Sequence, residues 1–311
     1  MKYYSIPGTE LSVSGIIMGC MRISSLAAND VETLVRTALD HGVNFFDHAD
    51  IYAGGRCEML FGEALNLRSS LREKMLIQSK CGIRKSISGG NFYDFSRNYI
   101  LESVDGILSR LGTDYLDVLL LHRPDSLMEL DEVAEAFDQL ESSGKVRHFG
   151  LSNVNSMQIE LLQRTVRQKL LFNQVQFGIG HTQLVDSGIS FNTTAPQAVD
   201  RSGSLLEYAR LNGITLQAWS PFRSDRTGRI IIGDFDNYPE LSKVLQTTGE
   251  RYGVSPSAIA AAWILCHPAH IQTVIGTTQT SRMAEYCAAA DVSLSREEWY
   301  EIYQTAGNSI P

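Results

Sequence analysis

After a short N-terminal stretch, the chain alternates two hydrophobic patterns: apolar runs of four to six residues, and longer segments whose apolar positions recur every third or fourth residue. The short runs predict strands at Gly15–Met18, Asn44–Asp47, Met75–Ser79, Leu116–Leu121, Val146–Gly150, Phe172–Gln176, Ile214–Ala218 and Gln272–Ile275. Strands this apolar and this short are buried on both faces, as in a parallel sheet. The longer segments predict helices, three of which, Asn29–His41, Arg97–Leu111 and Leu130–Ser143, run into Gly42, Gly112 and Gly144. Glycine tolerates the left-handed conformation that closes a helix and turns the chain toward the next strand. About eight such units in 311 residues predict an α/β fold, a closed (β/α)8 TIM barrel forming one domain over residues 1–311.

Two further features refine this plan. A β-hairpin is expected first, from Tyr3–Ile6 through Pro7-Gly8-Thr9 to Leu11–Ser14. An open doubly wound sheet lacks its usual support, since no G-x-G-x-x-G follows a strand and Gly178-Ile179-Gly180 is not completed three residues on. Gly178–Arg201 and Pro221–Tyr238 exceed ordinary connections. They follow strands six and seven, so both belong on the C-terminal rim, where barrel enzymes carry their sites.

Composition adds mainly exclusions. With 43% hydrophobic and 20% charged residues, the chain has ample material for a core. The net charge of −8 is spread without a basic cluster, which argues against nucleic acid or an anionic membrane as partner. No window approaches the roughly 18 apolar residues of a membrane span, and residues 1–6 do not form a signal segment, so a cytoplasmic location is expected. Five cysteines, none in a C-x-x-C spacing, are expected as reduced thiols. Cys266-His267-Pro268-Ala269-His270 groups possible ligands, but Pro268 breaks a ligand helix and no acidic partner follows; no metal is expected. Oligomeric state has no readable signature.

The strand assignment brings four ionisable residues to one rim. Asp47 closes strand two, Tyr52 lies five residues later, and Lys80 and His122 immediately follow strands three and four. Adjacent strands lie about 4.8 Å apart, so these residues converge. Alone, each has an ordinary structural role as cap, packing residue or solvated charge. Together they suit proton donation to a carbonyl oxygen. A tyrosine with its usual pKa of about 10 is a sluggish donor, and a lysine ammonium beside it is expected to lower that value. Asp47 holds the lysine charged, and a His122 N–H hydrogen-bonds the substrate oxygen. A Schiff-base lyase using Lys80 needs a neutral lysine, which Asp47 opposes.

Asp47-His48-Ala49-Asp50-Ile51-Tyr52, Gln78-Ser79-Lys80, Leu120-Leu121-His122-Arg123-Pro124-Asp125, the segment Gly144 to Asn153 (GKVRHFGLSN) and Asn173-Gln174-Val175-Gln176 resemble the motifs of the aldo-keto reductase family, in order along nearly the whole chain. The D-H-A-D-I-Y and H-R-P-D segments point to its bacterial YdhF-like branch. The resemblance implies a small-molecule carbonyl substrate, reduction with NADPH, and Asp47, Tyr52, Lys80 and His122 as catalytic tetrad. It implies that Ser152, Asn153 and Gln174 bind the nicotinamide carboxamide and that Trp219 replaces a tyrosine stacked on the ring. Ser220, Pro221, Phe222 and Arg223 continue that wall, and Gly19, Met21 and Arg22 match the family's glycine-rich segment after strand one. Ile275, Gly276, Thr277, Thr278, Gln279 and Arg282 match the phosphate segment in place, without its usual lysine. Their hydroxyls, backbone N–H groups and guanidinium still suit a 2′-phosphate, so NADP is expected over NAD. Tyr286 stands where many members have an asparagine against adenine. Arg223, Arg226 and Arg229 are candidates to close over the pyrophosphate. The alternative is a cofactor-sensing regulatory protein like the potassium-channel beta subunits, which typically have asparagine at the His122 position; steroid double-bond reductases have glutamate there.

Overall fold

A computed structural model describes residues 1–67 and 70–311. Eight parallel strands close into a barrel in sequential order: β1 (Ile16–Gly19), β2 (Phe45–Asp47), β3 (Leu76–Cys81), β4 (Leu116–Leu121), β5 (Val146–Ser152), β6 (Leu170–Gln176), β7 (Thr215–Trp219) and β8 (Gln272–Ile275). The apolar runs form these strands because both faces are covered, by helices outside and by packed side chains within. Helices Ala28–Asp40, Arg97–Leu111 and Leu130–Ser142 return the chain as the pattern predicted. Gly42, Gly112 and Gly144 follow them with φ of 82°, 66° and 73°, a region costly for residues with a Cβ.

The N-terminal hairpin pairs Tyr3–Ser5 with Ser12–Ser14 and plugs the bottom of the barrel. Its Tyr4, Ile6 and Val13 pack with Ile17, Phe45, Val118, Leu120, Phe172 and Val274 of the barrel interior. The floor is therefore sealed, and the rim above is left for chemistry. Two rim features differ from expectation. The 178–201 segment contains a helix, Gln183–Ile189, and a helical turn, Pro196–Ala198. An unexpected antiparallel hairpin, Ile83–Lys85 with Asn91–Tyr93, rises after β3. The 221–238 segment is irregular apart from a bridge between Arg223 and Ile230.

In the cysteine-histidine stretch, His270 stacks on Tyr4 at 4.9 Å, and His267 lies 6.3 Å from the Trp299 ring. Among the described residues, no helix is long and apolar enough to cross a membrane.

Candidate active site

Strand register builds the site from below. Asp47 pairs with Gln78, while Gln174, Gln217 and Gln272 pair in sequence across β6, β7 and β8. All five side chains are buried. Gln78 and Gln174 each donate to Asp47 Oδ1, at 2.6 and 2.9 Å, and to Gln217 Oε1, at 2.9 and 3.1 Å. Gln217 donates to Gln272 Oε1 at 3.1 Å, and Gln272 to the Ser14 carbonyl at 2.8 Å. A buried amide needs partners. Apart from Gln78 Oε1, which has no partner among the described residues, these glutamines supply one another and direct two N–H donors at one carboxylate. Gln78, Gln217 and Gln272 were not expected in the site, although single glutamines inside apolar strands are the signal that identifies them.

Lys80 stands above this network and is wholly buried. Its ammonium donates to Asp47 (2.7 and 2.8 Å to the two oxygens), to the His48 carbonyl (2.8 Å) and to the Tyr52 hydroxyl (3.1 Å). Three protons thus meet three acceptor groups. Because Tyr52 Oη accepts from lysine, its own proton is free for another acceptor. Tyr52 lies in a tight turn after β2, followed by Ala53, Gly54 and Gly55 at φ of 50°, 64° and 87°. Ala53, Asn153 (φ 61°) and Ser220 (φ 47°) are left-handed non-glycine residues at the rim, the kind of backbone strain that clusters around functional sites.

Electrostatics assigns protonation states. Burial pulls Lys80 downward, but Asp47 and Tyr52 outweigh it and its pKa rises, so the ammonium persists. Burial drives Tyr52 upward more strongly than Lys80 draws it down. This corrects the expectation of a net-lowered phenol: the lysine acts in the expected direction, but desolvation of the phenolate exceeds it. His122 is lowered to about 2 by burial and by the Lys80 and Arg123 charges, so its ring is neutral. Among the described residues its Nδ1 is buried without a partner, and Nε2 is the ring nitrogen left available. The Tyr52 and His122 rings meet edge to face at 6.1 Å.

Tyr52, Asp47 and His122 floor one end of a groove of about 770 Å³ across the barrel's C-terminal rim. Gly19, Met21, Arg22, Ser152, Asn153, Gln174, Trp219, Ser220, Pro221, Phe222, Arg223, Ile275, Gly276, Thr277, Thr278, Gln279 and Arg282 all line it. A Cβ at Gly19 would lie 3.0 Å from Val274, so a side chain there crowds the floor. Near Tyr52 and His122, Asn153 donates to Ser152 Oγ (2.7 Å) and accepts from Trp219 Nε1 (2.9 Å), fixing the indole. At the other end, Phe222 and Tyr286 stack at 5.1 Å. Helix Thr280–Cys287 begins at Gln279 without a side-chain cap, leaving its first N–H groups open.

Arg223 and Arg229 also line the groove, whereas Arg226 instead donates to the Asn237 carbonyl at 2.8 Å and lies over Tyr238. The 221–238 segment is tied to the preceding rim loop. Asp225 meets His181 Nδ1 at 2.5 Å, its N–H donates to the Gly180 carbonyl, and any side chain at Gly178 would strike the Pro221 carbonyl. Arg123, Gly228, Ile230 and Val274 are lining residues that sequence analysis did not single out. Arg123 was legible, since it directly follows His122.

A family model described as "Aldo/keto reductase family" matches residues 15–306. The oxidoreductase YdhF of Escherichia coli is 35% identical, over 96% of this chain and 95% of its own. The uncharacterized oxidoreductase YcsN of Bacillus subtilis is 33% identical, over 97% of both chains, and a 6-dehydroglucose reductase of Agrobacterium fabrum is 32% identical, over 96% and 95%. Such even identities favour no one branch. Among solved structures, an aldo-keto reductase of Klebsiella pneumoniae in complex with NADPH superposes with a TM-score of 0.76 at 24% identity, covering 99% of this chain and 97% of its own. With the motifs, the barrel and the match across nearly its whole length in agreement, the chain belongs to the aldo/keto reductase family.

Proposed function

We propose that this protein reduces the carbonyl of small aldehydes or ketones with NADPH, using Tyr52 as general acid. The observation that carries this reading is the saturated ammonium of Lys80. With its three protons held by Asp47, His48 and Tyr52, it presents a phenol whose proton is directed away from the lysine, in a groove shared with neutral His122.

The groove suits an extended dinucleotide. Four exposed arginines (Arg22, Arg223, Arg229 and Arg282) and the uncapped start of helix Thr280–Cys287 gather positive potential on a protein of net charge −8. Arg282, Thr277 and Thr278 would hold a 2′-phosphate, and Arg223 and Arg229 the pyrophosphate. Phe222 and Tyr286 offer an aromatic surface to adenine. Trp219, Ser152 and Asn153 would orient the nicotinamide, and Gln174, whose Nε2 is engaged with Asp47, has its Oε1 left for the carboxamide. When bound, the cofactor supplies a hydride to the carbonyl carbon.

The chain's own residues then handle the oxygen. The carbonyl oxygen accepts hydrogen bonds from Tyr52 Oη–H and His122 Nε2–H. As negative charge builds on that oxygen, the Tyr52 proton transfers to it, and the Lys80 ammonium stabilises the phenolate. Asp47, fixed by Gln78 and Gln174, keeps Lys80 protonated and in place. The shared D-H-A-D-I-Y and H-R-P-D segments keep the YdhF-like branch as our reading of its position in the family. Tyr52→Phe tests the role: NADPH consumption with an aromatic aldehyde falls by two or more orders of magnitude while NADPH binding, followed by fluorescence, persists. A variant turning over at the wild-type rate refutes it.

A further inference from the structure

Arg123 is the half-buried arginine of the groove; Arg22, Arg223, Arg229 and Arg282 are all exposed. It directly follows His122 at the end of β4, and its guanidinium lies over the Trp219 ring at 5.7 Å. The indole is itself fixed by its bond to Asn153. Arg123 therefore stands at the chemical end of the groove, away from the phosphate end. Among the described residues it has neither an ion-pair partner nor a hydrogen-bond acceptor, and nearby Asp125 serves the Leu127 N–H instead. Arg72 shows the opposite case. That buried guanidinium makes four hydrogen bonds, to Thr113, Met75, Tyr115 and Asp117. A guanidinium has five donors in a planar fork and no acceptor, and one withdrawn from water without partners is unfavourable unless a ligand supplies them. Asp47 is neutralised by Lys80 and His122 is uncharged, so the uncompensated charge beside the reacting carbonyl is positive.

We propose that Arg123 selects substrates bearing a carboxylate in addition to the reducible carbonyl, that is, oxo acids, by pairing its planar fork with the two carboxylate oxygens. This inference rests on the carbonyl-reductase reading and narrows its substrate class. Stacking on Trp219 fixes the guanidinium beforehand, which reduces the ordering cost when the anion arrives. The carboxylate docks on Arg123 while the carbonyl oxygen meets Tyr52 and His122, so binding of the remote group orients the reacting one.

The test compares 4-carboxybenzaldehyde with methyl 4-formylbenzoate, which differ in the charge of the remote group, in the wild type, Arg123→Met and Arg123→Lys. The wild type prefers the acid by at least about tenfold in kcat/KM, Arg123→Met abolishes the preference mainly through KM, and Arg123→Lys keeps part of it. NADPH affinity of all three, measured by fluorescence titration, stays within about twofold and shows that the variants are folded. Equal wild-type use of acid and ester, or a preference surviving in Arg123→Met, overturns the inference while leaving the reductase reading intact. A loss of NADPH affinity in Arg123→Met assigns the arginine to the cofactor and also overturns it. A wild type that reduces neither compound removes the reductase reading and this inference with it.

Discussion

Lys80→Met is the most informative single perturbation, because the lysine pairs with a carboxylate that is almost entirely shielded from water. Asp47 and Lys80 meet at 2.7 Å, with side-chain exposures of 3% and 0%. Removing one partner of a buried pair strands the other, at a cost of about 3–5 kcal/mol. In Lys80→Met the Asp47 carboxylate keeps the amide donors of Gln78 and Gln174 but loses its countercharge. Asp47→Asn strands the ammonium, leaving it the His48 carbonyl, the Tyr52 hydroxyl and an uncharged amide oxygen. In the double variant no charge remains, and the introduced amide oxygen is still an acceptor for both glutamines. The double variant is therefore expected to cost about as much as either single one, giving a coupling of about 3–5 kcal/mol. Urea unfolding at pH 7, with all four proteins sharing one m-value, reads this cycle. Costs that simply add would refute the idea that pairing holds Lys80 charged. An uncoupled lysine would also lose its role in proton transfer.

Other consequences follow from the same geometry. Since burial raises the Tyr52 pKa, the phenol stays protonated through neutrality; aldehyde reduction is expected to stay flat to about pH 10. The reverse alcohol oxidation, which needs the phenolate, should rise with pH in steady-state profiles, and a reductive rate already falling at neutral pH contradicts this. Gln217→Leu leaves the donors of Gln78 and Gln174 and the acceptor of Gln272 without their shared partner, so a loss of about 1–3 kcal/mol in urea unfolding is expected; a neutral effect denies the network a structural role. His48 is buried with both ring nitrogens unpartnered among the described residues, and burial and Lys80 lower its pKa to about 3. Its native state therefore resists the proton that the unfolded chain takes up near pH 6.5, and the stability this confers is complete above that pH and declines below it. The slope approaches about 1.4 kcal/mol per pH unit for this group, and His48→Thr should flatten the acid limb of stability against pH. Asp225→Ala cuts the tie from the 221–238 segment to His181 and is expected to speed NADPH release about fivefold in stopped-flow fluorescence.

The barrel was legible because each strand interrupts a helical pattern with an apolar run, and observed strand starts fall within two residues of those expected. The Ile83–Lys85 and Asn91–Tyr93 hairpin was not, since it is short, largely exposed and lacks an apolar alternation. Its order comes from local pairs such as Arg84 with Asp94 and Lys85 with Asn91. Strand ends located Asp47, Lys80 and His122, but the direction of the Tyr52 shift depends on desolvation from several elements at once. The glutamine network shows a middle case. Its members are visible in the sequence as polar residues inside apolar strands, yet which amide meets which depends on barrel closure bringing β3 and β6 to the same axis.

The proposed reaction is hydride delivery to a carbonyl carbon in the groove above Tyr52. It is tested most directly by supplying NADPH stereospecifically deuterated at the transferring C4 position together with benzaldehyde, and examining the benzyl alcohol by mass spectrometry and proton NMR. One deuterium is expected on the alcohol carbon, from one of the two C4 faces, with loss of product formation in Tyr52→Phe. Alcohol formed without carbon-bound deuterium from either C4 epimer, or formed equally by the phenylalanine variant, would contradict it.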